Sequence, residues 1–113
     1  MNFKNGLLKN GSSLGSGSSL GNVKNGVIKD GSSLGSGRPL GNVKNGVIKD
    51  GSSAGSGRPL GNVKNGAIHN GSSLGAGKKI GSVRDILRKV KGLDDVDDAT
   101  AVALYHFLVK EIF

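Results

Sequence analysis

A twenty-residue unit repeats four times through the first eighty residues, which limits the chain to folds built from near-identical small pieces. The second and third copies, residues 21–60, differ at a single position, where one has Leu34 and the other Ala54. The first and fourth copies diverge further, as is typical of repeats that lack a neighbour on one side. A fifth copy begins at Gly81 and soon breaks off.

Each unit contains two turn signals, which together predict two or three short strands. The first is Asn-Gly between apolar residues, which favours a type I′ hairpin because both central residues of that turn need a positive φ. In the second unit this turn pairs Val23 with Ile28 and Lys24 with Val27. The corresponding apolar pairs elsewhere are Phe3/Leu8, Val43/Ile48 and Val63/Ile68. The second signal is Asp-Gly-Ser-Ser or Asn-Gly-Ser-Ser, whose residues favour a turn.

One unit is too small to fold alone. It offers about five apolar side chains, whose full burial contributes ~1.5–3 kcal/mol each, whereas ordering the backbone costs ~1–2 kcal/mol per residue. One of the five is the apolar residue that follows the second turn. In the four units it is Leu14, Leu34, Ala54 and Leu74. Several units must therefore share one core.

The fold predicted for the repeats is mainly β, with four hairpin units closed around a pseudo-four-fold axis. Closure of this kind removes the exposed sheet edges that a linear arrangement must cap. A short β-solenoid is the alternative architecture. A disordered Gly/Ser linker is disfavoured, because the apolar positions recur regularly.

The tail, residues 81–113, predicts two helices. Ser82, with Asp85 three residues on, forms a partial capping box, and Gly92 ends the helix that follows. A second helix begins near residues 94–98, where carboxylates suit a helix N-terminus, and runs to about residue 112.

The second helix is apolar nearly all round between residues 101 and 109, so we expect it to be buried on more than one side. The chain then forms one domain, residues 1–113, in which the tail either seals the repeats 1–80 or packs against a second copy of the chain. The candidate interaction surface is Tyr105, Phe107, Leu108, Ile112 and Phe113.

Two stretches are similar to a known family: residues 40–52 read LGNVKNGVIKDGS and residues 101–113 read AVALYHFLVKEIF. They resemble the four-fold beta flower proteins, which are small bacterial repeat proteins. The resemblance covers essentially the whole chain and implies petal-like hairpins around an axis. It implies no activity and supplies no catalytic or binding residues. The segment 34–39 is longer than the linker usual in that family.

Positive charge is concentrated in the repeats. Residues 1–80 carry 11 Lys or Arg and two Asp, whereas the tail carries five basic and six acidic residues. The basic residues recur at three positions of the unit, and on a ring they would form circles of positive charge that attract polyanions. The candidate polyanion-binding residues are Lys4, Lys24, Lys44, Lys64, Lys29, Lys49, Arg38, Arg58 and Lys78. Lys9 and His69 occupy the same position of the unit as Lys29 and Lys49.

The sequence favours a non-catalytic structural or protein-interaction module. Weak binding of nucleic acid or another polyanion, without sequence preference, is the alternative. A third reading, a small-molecule or glycan binder with one site per repeat, is disfavoured because the units contain a single aromatic residue, Phe3. Partners expected on these readings are a second copy of the chain, an acidic protein or nucleic acid.

Catalytic, metal and cofactor sites are not predicted. The chain has no Cys, no P-loop pattern and no EF-hand loop. Its two imidazoles, His69 and His106, are interpreted as structural. The N-terminus has no apolar stretch typical of a signal peptide, and the most apolar run is too short to span a bilayer, so we expect a cytoplasmic protein.

Overall fold

The computed structural model describes all 113 residues, as one antiparallel sheet followed by short helices. The strands are β1 (Asn2–Lys4), β2 (Leu7–Lys9), β3 (Ser19–Lys24), β4 (Val27–Lys29), β5 (Pro39–Lys44), β6 (Val47–Lys49), β7 (Pro59–Lys64), β8 (Ala67–His69) and β9 (Lys79–Ser82). The helices are α1 (Val83–Leu87) and α2 (Asp98–Leu108), with a 3₁₀ turn at Leu93–Asp95 between them. The predicted mainly β class with a C-terminal helix is confirmed.

The predicted hairpins are present in all four units. Asn25 has a φ of 53° and Gly26 a φ of 79°, the two positive values that a type I′ turn requires. Val23 lies opposite Ile28, as the turn predicts. The equivalent pairs Phe3/Leu8, Val43/Ile48 and Val63/Ile68 are also in register. The second residue of each pair is fully buried, so this sheet face builds the core.

The sheet is not closed, so the prediction of a closed ring of strands is wrong in this respect. The nine strands follow one another in chain order, which is also not the stacking of a solenoid, and β1 does not pair with β9. The fifth copy of the unit turns into α1 after β9, so it supplies no further hairpin. Backbone atoms of Lys91 protect the edge of β1 instead: Phe3 N donates to Lys91 O (2.7 Å), and Lys91 N donates to Met1 O (3.0 Å).

Helix α2 lies against the inner face of the sheet, defined here as the face that bears Ile28 and its equivalents. It contacts β3, β4, β5, β6 and β7, and residues 101–104 are fully buried. Asp97 caps its N-terminus, because the carboxylate accepts a hydrogen bond from Thr100 N at 2.8 Å. The expected burial on more than one side is confirmed.

Both predicted helices are shorter than the sequence indicated. Helix α1 ends at Leu87 rather than at Gly92, and the Ser82 side chain makes no capping hydrogen bond. Helix α2 ends at Leu108 rather than near Ile112, because the chain then folds back and donates backbone N–H groups to the ring of His106.

Three glycines on the inner face make room for the tail. Gly21, Gly41 and Gly61 hold the same position on β3, β5 and β7, and each lies directly against a tail side chain. A Cβ atom added to Gly41 would overlap the ring of Phe107. Gly21 lies against Leu108 in the same way, and Gly61 against Phe113. The missing side chains of the repeat are therefore replaced by side chains from the tail.

The apolar residue after the second turn does not belong to the shared core, contrary to the sequence interpretation. Leu14, Leu34 and Leu74 are each about half exposed, at 48–50%. They lie in the loop that connects units rather than in a strand, and this loop lies over the outer face of the sheet, the face away from α2.

Candidate functional site

A buried asparagine in each unit holds the connecting loop on the outer face. The Asn42 amide donates to Gly51 O (3.1 Å) and Ser56 O (3.0 Å), and its carbonyl accepts from Gly55 N (2.9 Å). The same three bonds are made by Asn2, Asn22 and Asn62. All four side chains are fully buried.

These asparagines were missed in the sequence analysis. The signal was present, because asparagine is disfavoured in strands and yet stands in the first strand of every unit. A strand asparagine that recurs in this way indicates that its side chain replaces backbone hydrogen bonds of a neighbouring loop.

The first lysine row ends the first strand of each hairpin and points to solvent. Its members, Lys4, Lys24, Lys44 and Lys64, are exposed. The stem of Lys24 passes over the connecting loop at Gly35, where an added Cβ would lie 3.2 Å from its Cδ and 3.7 Å from its Nζ. None of these ammonium groups has a carboxylate partner within 4.0 Å, since the three ion pairs of the chain involve arginines only.

The second lysine row lies on the second strand of each hairpin and reaches the same loop. Lys29 Nζ donates to Gly35 O at 3.2 Å, and Lys49 Nζ donates to Gly55 O at 3.2 Å. In the fourth unit, Nδ1 of His69 lies 3.2 Å from Gly77 O. The two rows therefore bring one ammonium group from each strand to a shared loop glycine, as Lys24 and Lys29 do at Gly35.

The third basic position is partly neutralised. Arg38 lies 3.4 Å from the Asp30 carboxylate and Arg58 lies 3.8 Å from that of Asp50. Both arginine side chains are at least 80% exposed, so such pairs contribute little to stability. Lys78 has no acidic partner, because its unit has Asn70 where the others have Asp.

The predicted interaction surface of the tail is turned toward the sheet. Tyr105 is buried, and Lys89 Nζ lies 5.6 Å from the centre of its ring. Phe107, Leu108 and Phe113 contact the three strand glycines described above, and Ile112 packs at the margin of the same core. The structure brings these residues together, but against the inner face of the sheet rather than on an exposed surface.

His106 links the end of the tail to α2. Its Nδ1 accepts hydrogen bonds from Ile112 N (2.9 Å) and Phe113 N (3.4 Å), and its ring lies 4.7 Å from that of Phe107. Burial lowers the pKa of His106 below 6.5, and the charge of Glu111 opposes this effect only in part. The neutral ring is also the form that can accept both bonds, since a protonated Nδ1 becomes a donor.

We expect acid to loosen the tail through His106. Because the folded state lowers this pKa, the unfolded chain binds more protons below pH 6.5, so the free energy of unfolding falls as the pH drops from 7 toward 5. Urea unfolding of the wild type and of His106→Gln at both pH values measures this effect. The wild type should lose more stability than the variant, whose amide oxygen still accepts a bond; equal losses would contradict the assignment.

Three cavities adjoin the tail and include its carboxylates, and a fourth lies between the second and third units. The largest, about 670 Å³, opens beside the turn at Gly66, where Arg84, Arg88 and Lys91 face Asp94 and Asp98. Two smaller ones, near β1 and near the start of α2, are lined by acidic residues of the segment 94–98. The fourth, about 450 Å³, lies beside Ala54 and has no acidic lining.

The chain groups no three His, Asp or Glu side chains at a distance suited to a metal ion. None of its helices is both long enough and apolar enough to cross a bilayer. No known protein family, curated protein or solved structure matches the sequence or the fold. Function is therefore inferred from the residues described above.

Proposed function

We propose that the protein is a non-catalytic binding module whose outer face binds polyanions, such as nucleic acid, weakly and without sequence preference. The observation that carries this proposal is the pair of lysine rows on the outer face, whose ammonium groups have no carboxylate partners. An acidic protein surface carries negative charge as a polyanion does. It is therefore the partner expected if the protein is a protein-interaction module.

The spacing of the rows favours a polymer over a single ion. Members of one row are two strands apart, which is roughly 10 Å in a sheet. This distance is close to the ~10 Å Debye length at 0.1 M salt, so the fields of neighbouring lysines overlap at low salt and separate at high salt. A chain of phosphates that crosses the face therefore gains several contacts at once, and its affinity depends steeply on salt.

The face offers no means to read sequence. Binders of single strands stack bases on exposed aromatic rings. The only aromatic residue of the four units is Phe3, which is 2% exposed and points into the core. Attraction by charge alone remains, and this predicts similar affinity for different sequences.

The groups that would serve acid–base catalysis have structural partners. Nδ1 of His106 accepts two backbone bonds, and Nδ1 of His69 lies against Gly77 O. Asp30 and Asp50 accept hydrogen bonds from the backbone of Arg38 and Arg58 at 2.6 and 2.7 Å. These contacts support a module that binds rather than one that catalyses.

The test compares two variants with equal loss of charge. One replaces Lys4, Lys24, Lys44 and Lys64 by glutamine; the control replaces Arg84, Arg88, Lys91 and Lys110 by glutamine. Fluorescence anisotropy with a labelled duplex at about 10–200 mM salt should give a much smaller salt slope for the row variant, by up to about four ion equivalents. The control should lie close to the wild type.

Two results would overturn the proposal. Equal weakening by both variants would mean that net charge alone matters, and not the outer face. Failure of the wild type to bind duplex even at about 10 mM salt would mean that the face does not bind polyanions.

We also propose that the four units share a pseudo-four-fold axis, as the resemblance to the four-fold beta flower proteins implies. The recurrence of the asparagine bonds in every unit and the position of α2 against five strands support it. A crystal structure in which successive units are not related by about a quarter turn would contradict it.

A further inference from the structure

The connecting loops leave one gap between units, at Ala54. In two other units the equivalent leucine covers a turn glycine of the preceding unit. An added Cβ on Gly6 would lie 2.7 Å from Leu34 Cδ1, and one on Gly46 would lie 2.8 Å from Leu74 Cδ1. The Ala54 side chain is too short to do this, so the turn glycine Gly26 has no side chain over it.

A cavity of about 450 Å³ occupies this place, and it is called the Ala54 gap below. Its walls include Lys24 and Lys29 from the second unit, and Ser52 and Ser53 from the third. The volume lies within the range of small-molecule sites. The gap therefore exists because one repeat position differs from its sister positions.

The charge of the Ala54 gap has one sign. Lys24 and Lys29 both reach the loop glycine Gly35, which also lines the gap, and no acidic residue does. The other three cavities include carboxylates from the segment 94–98. An anion is therefore favoured here without opposition from a carboxylate, whereas carboxylates oppose it in the other three.

The third unit adds neutral donors to this pair of cations. The Ser52 hydroxyl makes no hydrogen bond within the chain, in contrast to Ser53, which bonds Ser56 Oγ at 3.1 Å. The backbone N–H groups of Ser52 and Ala54 also have no acceptor in the chain. Two ammonium groups with free hydroxyl and amide donors suit the oxygens of a phosphate group.

We propose that the Ala54 gap binds a small phosphate-bearing molecule, with the phosphate between the Lys24–Lys29 pair and the loop at Ser52. Val27 and the Ala54 methyl group leave room for a small organic part. This site goes beyond the proposed polyanion binding, because it depends on Ala54, which the lysine rows do not need.

The test uses NMR titration of the full chain with inorganic phosphate and, separately, with a short single-stranded oligonucleotide. Phosphate should give saturable amide shifts at Ser52, Ser53 and Ala54. Ala54→Leu restores the residue of the sister units, so it should fold, and it should weaken phosphate binding at least tenfold. Leu34→Ala should create a second gap, with new shifts at Ser32 and Ser33.

The control lies within the same molecule, because Leu74 covers the equivalent place in the fourth unit. Equal phosphate shifts at Ser72 and Ser73 would mean that lysines bind phosphate without a gap, and would overturn the proposal. So would unchanged affinity in Ala54→Leu. Oligonucleotide affinity should stay within twofold in this variant, which keeps every lysine; a tenfold loss would show that a polymer occupies the gap instead of a small molecule.

Discussion

Replacing Gly41 by alanine is expected to destabilise the protein by about 2 kcal/mol. The added Cβ would overlap the Phe107 ring, and overpacking of this kind costs ~1–3 kcal/mol or more. A smaller gain of ~0.4–1 kcal/mol opposes it, because alanine reduces the freedom of the unfolded chain. Thermal unfolding should show a melting temperature lower by roughly 8 °C.

Gly81 provides the matched control for this substitution. It pairs with Ile68 in the register in which Gly41 pairs with Ile28, but no tail side chain lies against it. An added Cβ would lie 3.5 Å from Ile68 Cδ1, which is an ordinary contact. Gly81→Ala should therefore leave stability unchanged or raise it by up to ~1 kcal/mol. Equal losses at both positions would show that the strand, and not the tail, requires glycine.

Replacing Asn62 by aspartate is expected to cost about 3–5 kcal/mol. The Asn62 amide donates to Gly71 O (3.2 Å) and Ala76 O (3.0 Å), and a carboxylate would place negative charge against both oxygens in a fully buried site. Two carbonyls would lose their donor, and a charge would be buried with the Gly75 N–H as its single hydrogen-bond donor, and each effect is costly. Urea unfolding measures the loss, and failure to fold is its extreme.

Asn70→Asp in the same unit is the control, because the chemical change is identical. Asn70 is equivalent to Asp30 and Asp50, and its Oδ1 accepts from Lys78 N at 2.8 Å, as the Asp30 carboxylate does from Arg38 N. A carboxylate retains that role, so the change should stay within about 0.5 kcal/mol. If Asn62→Asp were equally mild, the asparagine would not hold the loop.

The local structure of the units could be predicted from the sequence, because short-range chemistry decides it. Asn-Gly requires positive φ at both positions, and this alone fixed the pairing of Val23 with Ile28. The buried position of α2 followed from an apolar segment with no polar side. These features depend on residues close together in the chain.

Long-range features could not be predicted in the same way. The contact of Gly41 with Phe107 joins a central strand to the C-terminal tail, and glycine in a strand has no signal that distinguishes a bulge from a contact with another segment. Leu34 was assigned to the core because it is apolar, yet it covers a turn on the outer face. The protection of the β1 edge depends on Lys91. Backbone atoms alone make this contact, so the side chain gives no signal of it.

The candidate site was predicted in its residues but not in its geometry. Periodicity placed Lys24 and Lys29 at repeated positions, and charge alone suggested a polyanion. That both side chains reach Gly35 follows from the loop, which Asn22 holds over the strand. The Ala54 gap has a sequence signal, a single Leu-to-Ala difference, but its meaning required the position of the turn glycine.

The tail completes the core by placing its side chains on the strand glycines. A double-mutant cycle with Gly41→Ala and Phe107→Ala, followed by urea unfolding, measures this contact most directly. Removing the ring should relieve the overlap, so the double variant should be more stable than the sum of the single losses predicts, by more than ~1 kcal/mol. Losses that add within about 0.5 kcal/mol would show that Phe107 does not rest on Gly41 and that the tail does not complete the core in this way.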